Sequence, residues 1–382
     1  MTSRVIQGAV YLDDPSSVER FLSEIGPCTE IALDTEGASF HRFHDRIYLL
    51  QLSTREKSAI IDPLATASLP NLGNLLEDRS IQVVFHDADY DLRLLRQDYG
   101  WSVANIFDTR VAAQLLGIKS FGLAALLEQY FDVKLDKKHQ RADWSMRPLP
   151  DDMLEYAAQD TRFLLQLRDH LEGELKARAR LHWAKEEFSL LEETKWAEGA
   201  DDDAFMRIKG ARDLDRRELA VLRELAAWRD DAARDLDRAT FRVIGNEALL
   251  EIARRAPKTM QDLTAVKGTP RALMERAGTQ VLGAVRRGME VPEAELPRFP
   301  KPLRWNKDAD FDNRVVKLKA ARDEAATRLN LDPGILCPRE KLEAVARKNP
   351  RTIEEVASID VLRRWQVEEL GAAFVRALAL RS

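Results

Sequence analysis

The C-terminal half of the chain carries the same pattern twice. WRDDAARDL (228–236) aligns with ARDEAATRL (321–329), and LLEIARRAPKTMQDL (249–263) aligns with LEAVARKNPRTIEEV (342–356). Leu236 falls on Leu329, Pro257 on Pro350 and Thr259 on Thr352, always 93 positions apart, so the correspondence runs without a gap. Repetition at one fixed spacing encodes one structural unit more than once. Both copies read as helix throughout, which predicts two all-helical modules, over 201–290 and 308–382. Two copies make a tandem pair and not a solenoid. Between them, VPEAELPRFPKPLRW (291–305) places prolines at 292, 297, 300 and 302. Such a segment cannot continue a helix and predicts an extended, semi-rigid spacer over 291–307.

The first 200 residues follow another rule. EIALDTE (30–36), IYLLQLS (47–53), SAIIDP (58–63) and IQVVFHD (81–87) are short apolar runs rich in β-branched residues and bounded by turn signals. Helical patterns intervene after Pro70: LPNLGNLLED, DYDLRLLRQDYG, DTRVAAQLLG and FGLAALLEQYF. One long helix is expected from Pro150 to about Arg180, with Asp151 or Asp152 as its N-cap. Strands first, then strands alternating with helices, predict a mixed α/β sheet domain over 1–200.

The net charge of −5 hides an asymmetry: residues 1–200 carry −10 and residues 201–382 carry +5. A basic second half fits contact with phosphates. Only Cys28 and Cys337 are present, which excludes a disulfide framework and a cysteine zinc site. No apolar run is long enough to span a membrane, and the N-terminus lacks a signal-peptide pattern. A cytoplasmic monomer with no membrane partner is the expectation.

Three acidic stretches carry the chemistry. Asp34 and Glu36 end an apolar strand two residues apart, so they face one side of the sheet. Like charges there repel, and burial of either is costly without a cation. Oxygen ligands without clustered Cys or His suit Mg²⁺ or Mn²⁺. The turn FHDADYDL (85–92) holds Asp87, Asp89 and Asp91, more acids than one helix cap requires. In YAAQDTRFLL, Tyr156 and Asp160 lie one helical turn apart on one face. Taken singly, each stretch is as well explained by a solvated strand end, a cap or an amphipathic helix. Together, four carboxylates could hold two divalent ions and drive in-line phosphodiester hydrolysis.

ALDTEG, FHDADYDL and YAAQDTRFLL resemble, in order, the three motifs of the DEDD exonuclease superfamily, in the subgroup whose third motif is Y-x-x-x-D. LDKKHQRADWSMRPL (135–149) resembles the ribonuclease D signature, and the repeated modules resemble HRDC domains. The resemblance implies a ribonuclease-H-like core with a mixed five-stranded sheet, followed by two HRDC domains. It implies Asp34, Glu36, Asp91 and Asp160 as ligands of two divalent metal ions, Mg²⁺ or Mn²⁺. Asp91 is preferred to Asp87 and Asp89 because it precedes the Leu of "DL". Tyr156 would orient the attacking water, and Glu36 would also meet the 3′ end. The implied activity is 3′→5′ exoribonuclease, acting on 3′-extended tRNA precursors and other small structured RNAs. A DNA-proofreading exonuclease and a non-catalytic nucleic-acid adaptor are the rivals.

Further substrate contacts are expected from the loop residues Arg141, Trp144 and Arg147, as phosphate and base partners. The competing reading makes Asp143–Arg147 a structural ion pair and Trp144 a loop anchor. Phe40, His41 and Arg42 are candidates for the 3′-nucleotide pocket. Arg254, Arg255, Lys258, Arg347, Lys348 and Arg351 are candidate phosphate contacts in the modules.

Overall fold

The computed structural model describes residues 4–66, 68–136, 138–194, 203–300 and 309–379. The expected boundary at 200/201 and the last part of the spacer, 301–307, fall outside the described residues. Among the described residues, seven strands form one mixed sheet: β1 Arg4–Ile6, β2 Ala9–Leu12, β3 Glu30–Glu36, β4 Leu49–Ser53, β5 Ser58–Ile61, β6 Gln82–Phe85 and β7 Ile106–Asp108. Their order is β1-β2-β5-β4-β3-β6-β7. Five strands were expected, and the N-terminal hairpin supplies the excess. Gln7 and Gly8 both take positive φ, 45° and 87°. That is the turn geometry that folds a strand tightly back on itself. β2 then extends the edge by pairing parallel with β5.

The helices of this domain are α1 Pro15–Ile25, α2 Pro63–Thr66, α3 Pro70–Glu77, α4 Asp89–Tyr99, α5 Thr109–Leu115, α6 Leu123–Phe131, α7 Asp151–Asp160, α8 Leu164–Ala177 and α9 Leu181–Glu192. β3 lies inside the sheet, antiparallel to β4 and parallel to β6. Its alternation divides the core. Ile31 and Leu33 pack with residues of α1, α3 and α4, whereas Ala32 packs on the other face with α5 and α8. Asp34 and Glu36 continue the Ala32 register, so both carboxylates emerge on the face that α7 and α8 cover.

The long helix expected from Pro150 is broken after Asp160. Thr161, 2% exposed, shares a hydrogen bond between its hydroxyl and that of Ser53 at 2.7 Å. Its carbonyl accepts from Leu164 N–H at 3.1 Å in a tight turn. Pro150 occupies the cap of α7, with Asp151 and Asp152 in the first turn.

The repeat keeps its spacing in three dimensions. The first module contains α10 Arg216–Asp235, α11 Thr240–Val243, α12 Asn246–Arg255, α13 Met260–Thr264 and α14 Arg271–Glu290. The second contains α15 Phe311–Leu329, α16 Pro333–Leu336, α17 Arg339–Lys348, α18 Ile353–Ala357 and α19 Arg364–Ala379. The last four helices of each start 93 residues apart. The caps recur too: Thr259 accepts from Asp262 N–H at 3.1 Å, and Thr352 from Glu355 N–H at 3.2 Å.

The two copies dock differently. The first has a core of its own, while the second shares one continuous core with α5, α8 and α9. Trp183 stacks on Trp365 with centroids 4.8 Å apart. Glu186 accepts from the backbone N–H groups of Arg364 and Trp365 at 2.8 and 3.2 Å, an acid at the start of α19. Arg180, 8% exposed, donates to Leu115 O at 2.8 Å and Leu329 O at 2.6 Å. These carbonyls end α5 and α15, where a cation is favoured. Arg180→Met keeps the stem and removes both charged hydrogen bonds, so it should lower stability by about 1–3 kcal/mol. Urea denaturation followed by a probe in the nuclease domain checks this. A shift below about 0.5 kcal/mol would mean that Arg180 does not join the two units.

Candidate active site

β3 and β6 run parallel, so their C-terminal ends share one edge of the sheet. β3 delivers Asp34 and Glu36 there. The turn after β6 delivers Asp91, in the first turn of α4, and the end of α7 delivers Asp160. Carboxylate oxygens of Asp34, Glu36 and Asp160 all lie within 4.8 Å of one another. Asp91 is outside that group of three. Its carboxylate accepts from Thr35 N–H at 3.0 Å and from the Thr35 hydroxyl. All four acids line one cavity of about 780 Å³, together with Tyr156.

The three acids of the FHDADYDL turn are sorted by their partners. Asp87 adopts a left-handed backbone (φ 70°) and pairs with Arg110, and Asp89 pairs with Arg93 at 2.7 Å. Asp91 is 5% exposed and has no cation beside it among the described residues. His86 shares a hydrogen bond with the Thr109 hydroxyl at 2.9 Å. Burial, helped by Arg110, lowers its pKa to about 4, so the ring stays neutral.

The acids repel one another in a poorly hydrated setting: Asp91 and Asp160 are buried and Asp34 and Glu36 half-buried. Burial raises Asp34 well above the usual carboxylate range, and the charge of Asp160 adds to it. Burial followed by Asp34, Asp160 and Asp91 does the same for Glu36, and burial followed by Asp34 for Asp91. Burial pushes Asp160 up to about 7. Tyr156 is raised strongly by burial and then by Asp160, Glu36 and Asp34, so its hydroxyl remains a hydrogen-bond donor.

Gln51 is a buried polar neighbour of the cluster. It stands directly opposite Asp34 in the β3–β4 register, on the same face. It is 0% exposed, yet neither its amide oxygen nor its nitrogen has a hydrogen-bond partner among the described residues. Buried amides are nearly always satisfied. Divalent ions would supply the positive charge that the cluster of acids calls for, and an all-carboxylate donor set suits hard cations. The residues therefore fit a divalent metal centre.

The loop candidates separate. Arg141 is exposed, lines the cavity and stacks over Phe40 at 5.1 Å. Trp144 is only 1% exposed and packs against Tyr156 at 6.1 Å, so it is not open to a base and supports the tyrosine ring instead. Arg147 is engaged with Asp62 at 2.8 Å and with the carbonyls of Tyr48, Trp144 and Met146. It braces the loop and is not free to take a phosphate. The alternative pairing with Asp143 is not formed either: Asp143 faces Arg42 at 3.7 Å and His41 at 3.8 Å. In the modules, Arg255 pairs with Glu251 at 2.6 Å and Arg347 with Glu343 at 3.8 Å. Gln51 is not among the residues that the sequence motifs single out. Its signal was a single amide inside the otherwise apolar run IYLLQLS.

Comparison with known proteins decides between the rivals. Residues 9–176 match the 3′-5′ exonuclease domain family, and residues 218–285 and 312–378 each match the HRDC domain. Ribonuclease D of Desulfotalea psychrophila is 31% identical over 318 residues, 82% of this chain and 84% of that protein. The chain belongs to the ribonuclease D family. Ribonuclease D of Pseudomonas paraeruginosa is 29% identical over 371 residues, 96% of this chain and 97% of its own length. The crystal structure of Escherichia coli RNase D, an exoribonuclease involved in structured RNA processing, superimposes with a TM-score of 0.75 at 26% identity. It covers 99% of both chains. As a ribonuclease D-family protein, the chain is a 3′→5′ exoribonuclease that uses divalent metal ions. Among the described residues, no helix is long and apolar enough to cross a membrane.

Proposed function

We propose that Asp34, Glu36, Asp91 and Asp160 hold two divalent cations, Mg²⁺ or Mn²⁺, and that the site trims 3′-extended tRNA precursors and other small structured RNAs. The observation that carries this reading is the convergence of these acids, from three separate stretches, on one cavity. When bound, the ions supply an activated water and stabilise the leaving oxygen. The protein's part is to orient. Tyr156, held protonated, donates a hydrogen bond toward the attacking water, with Trp144 fixing its ring. Glu36, last residue of β3, receives the terminal 3′-hydroxyl. Arg141 at the cavity rim balances phosphate charge. Water oxygen bonds to phosphorus, the P–O3′ bond breaks, and the shortened RNA leaves with a 3′-hydroxyl. Each cycle releases one 5′-mononucleotide.

The working division is 1–200 for the nuclease and 201–290 and 308–382 for the HRDC modules, joined by 291–307. The modules hold the body of the RNA while its tail enters the cavity. A manganese-soaked crystal, read by anomalous scattering, tests the ligand set; two ions touching all four carboxylates are expected. Ions that leave Asp91 or Asp160 uncoordinated would overturn it. Chromatography of the products from a 3′-extended tRNA precursor tests the reaction. Oligonucleotides in place of mononucleotides would rule out stepwise trimming.

A further inference from the structure

The segment after β3, residues 38–46, leads from the catalytic cavity to the first helical module and is fastened there. Ala239 N–H donates to His41 O at 3.1 Å, and Arg242 donates to Phe40 O. Asp237 accepts from Phe43 N–H at 3.2 Å and from His44 N–H at 3.3 Å. Phe43 packs against the module's core, with Arg234 5.2 Å above its ring. This fastening sets Phe241 of the module edge-on to Phe40, with centroids 6.2 Å apart and planes at 75°. Both rings remain open to solvent, Phe40 at 43% and Phe241 at 51% exposed. A pair formed only to join two domains would bury its faces. Phe40 and Arg141 line the cavity that holds the acids, and Phe241 adjoins that lining through its contact with Phe40.

We propose that Phe241, from the first HRDC module, completes with Phe40 a base-stacking platform for the unpaired RNA just 5′ of the terminal nucleotide. Aromatic faces hold bases without regard to sequence, worth about 1–3 kcal/mol per base. Arg141 over Phe40 and Arg242 beside it bring positive charge to the phosphates of the same segment. The first module then contributes to substrate binding at the active site itself, whereas the second shares the nuclease core through α5, α8 and α9. This rests on the exonuclease reading above and adds the residue that holds the tail.

The test uses the full-length protein and a single-stranded octaribonucleotide in Mg²⁺. Phe241→Ala should raise KM by about 5- to 150-fold, the range that 1–3 kcal/mol implies, with kcat within twofold. Phe241→Trp, which keeps an aromatic face, should restore KM. Phe241→Leu, which fills the space against Phe40 without one, should behave like alanine. Restoration by leucine, or a loss in kcat with KM unchanged, would overturn the platform and leave Phe241 as a docking contact. Half its surface is exposed, so circular dichroism should find each variant melting with the wild type. Failure of the wild type itself to shorten the octamer would sink the exonuclease reading, and the platform with it.

Discussion

Replacing Asp34 with asparagine should slow RNA trimming by at least about 10³-fold and leave the protein folded. Asp34 is the hub of the cluster: it lies within 4.8 Å of Glu36 and Asp160, and it is the charge that most perturbs Asp91. Asparagine keeps the size of the side chain and a carbonyl oxygen but lacks the negative charge that holds a divalent ion against its hydration shell. A thousandfold loss corresponds to about 4 kcal/mol of transition-state stabilisation, within what metal-assisted catalysis supplies. The fold has no need of the charge, since β3 is held by its ladders to β4 and β6. Steady-state rates on single-stranded RNA in Mg²⁺, with thermal melts in EDTA, check both halves. A variant keeping more than about a tenth of wild-type kcat/KM would show that Asp34 is not a metal ligand, because losing one would cost more than about 1.4 kcal/mol.

Much of this architecture is legible in the sequence, and the legible parts share a cause. β3 to β6 stand out because each lies in a short, mostly apolar run long enough to be seen between turns. The modules are legible because the repeat keeps one spacing through every helix from α11 to α14. The acids are legible as a set although each alone is unremarkable: strands β3 and β6 are neighbours, so the residues at and beyond their C-terminal ends meet at one edge of the sheet.

The rest depends on contacts between distant segments. The break after Asp160 leaves no trace in local propensity. Thr161, Arg162 and Phe163 can all sit in a helix, and the bond from Thr161 to Ser53 turns the chain. β7 is three residues long, too short for alternation to register. Trp144 and Arg147 sit in a loop whose sequence suits solvent, and only Tyr156 and Asp62 pull them inward. The repeat foretells two copies of one fold but not their different placements. Those are set by residues outside the repeat: Arg180, Trp183 and Glu186 for the second copy, and the 38–46 segment for the first.

Metal-free protein should become less stable as pH rises, and Asp160→Asn should remove part of that loss. A carboxyl whose pKa is higher in the folded than in the unfolded chain binds more protons when folded, so stability falls as pH climbs through the window between the two values. For Asp160 that window runs from the ordinary aspartate value of 3.8 to about 7. Asparagine mimics the protonated acid at every pH. The variant and the wild type should therefore match near pH 4 and diverge upward, with the variant ahead by on the order of 4 kcal/mol at pH 8. Urea unfolding in EDTA at several pH values measures the gap. Mg²⁺ should then narrow it, because ions that bind only the folded wild type raise its stability by mass action. A gap that is constant with pH, or widest in acid, would mean that Asp160 ionises as freely as it does in water. The repulsion that weakens the empty fold is also what the cations relieve on binding, so removing an acid should stabilise the metal-free chain while it disables the enzyme.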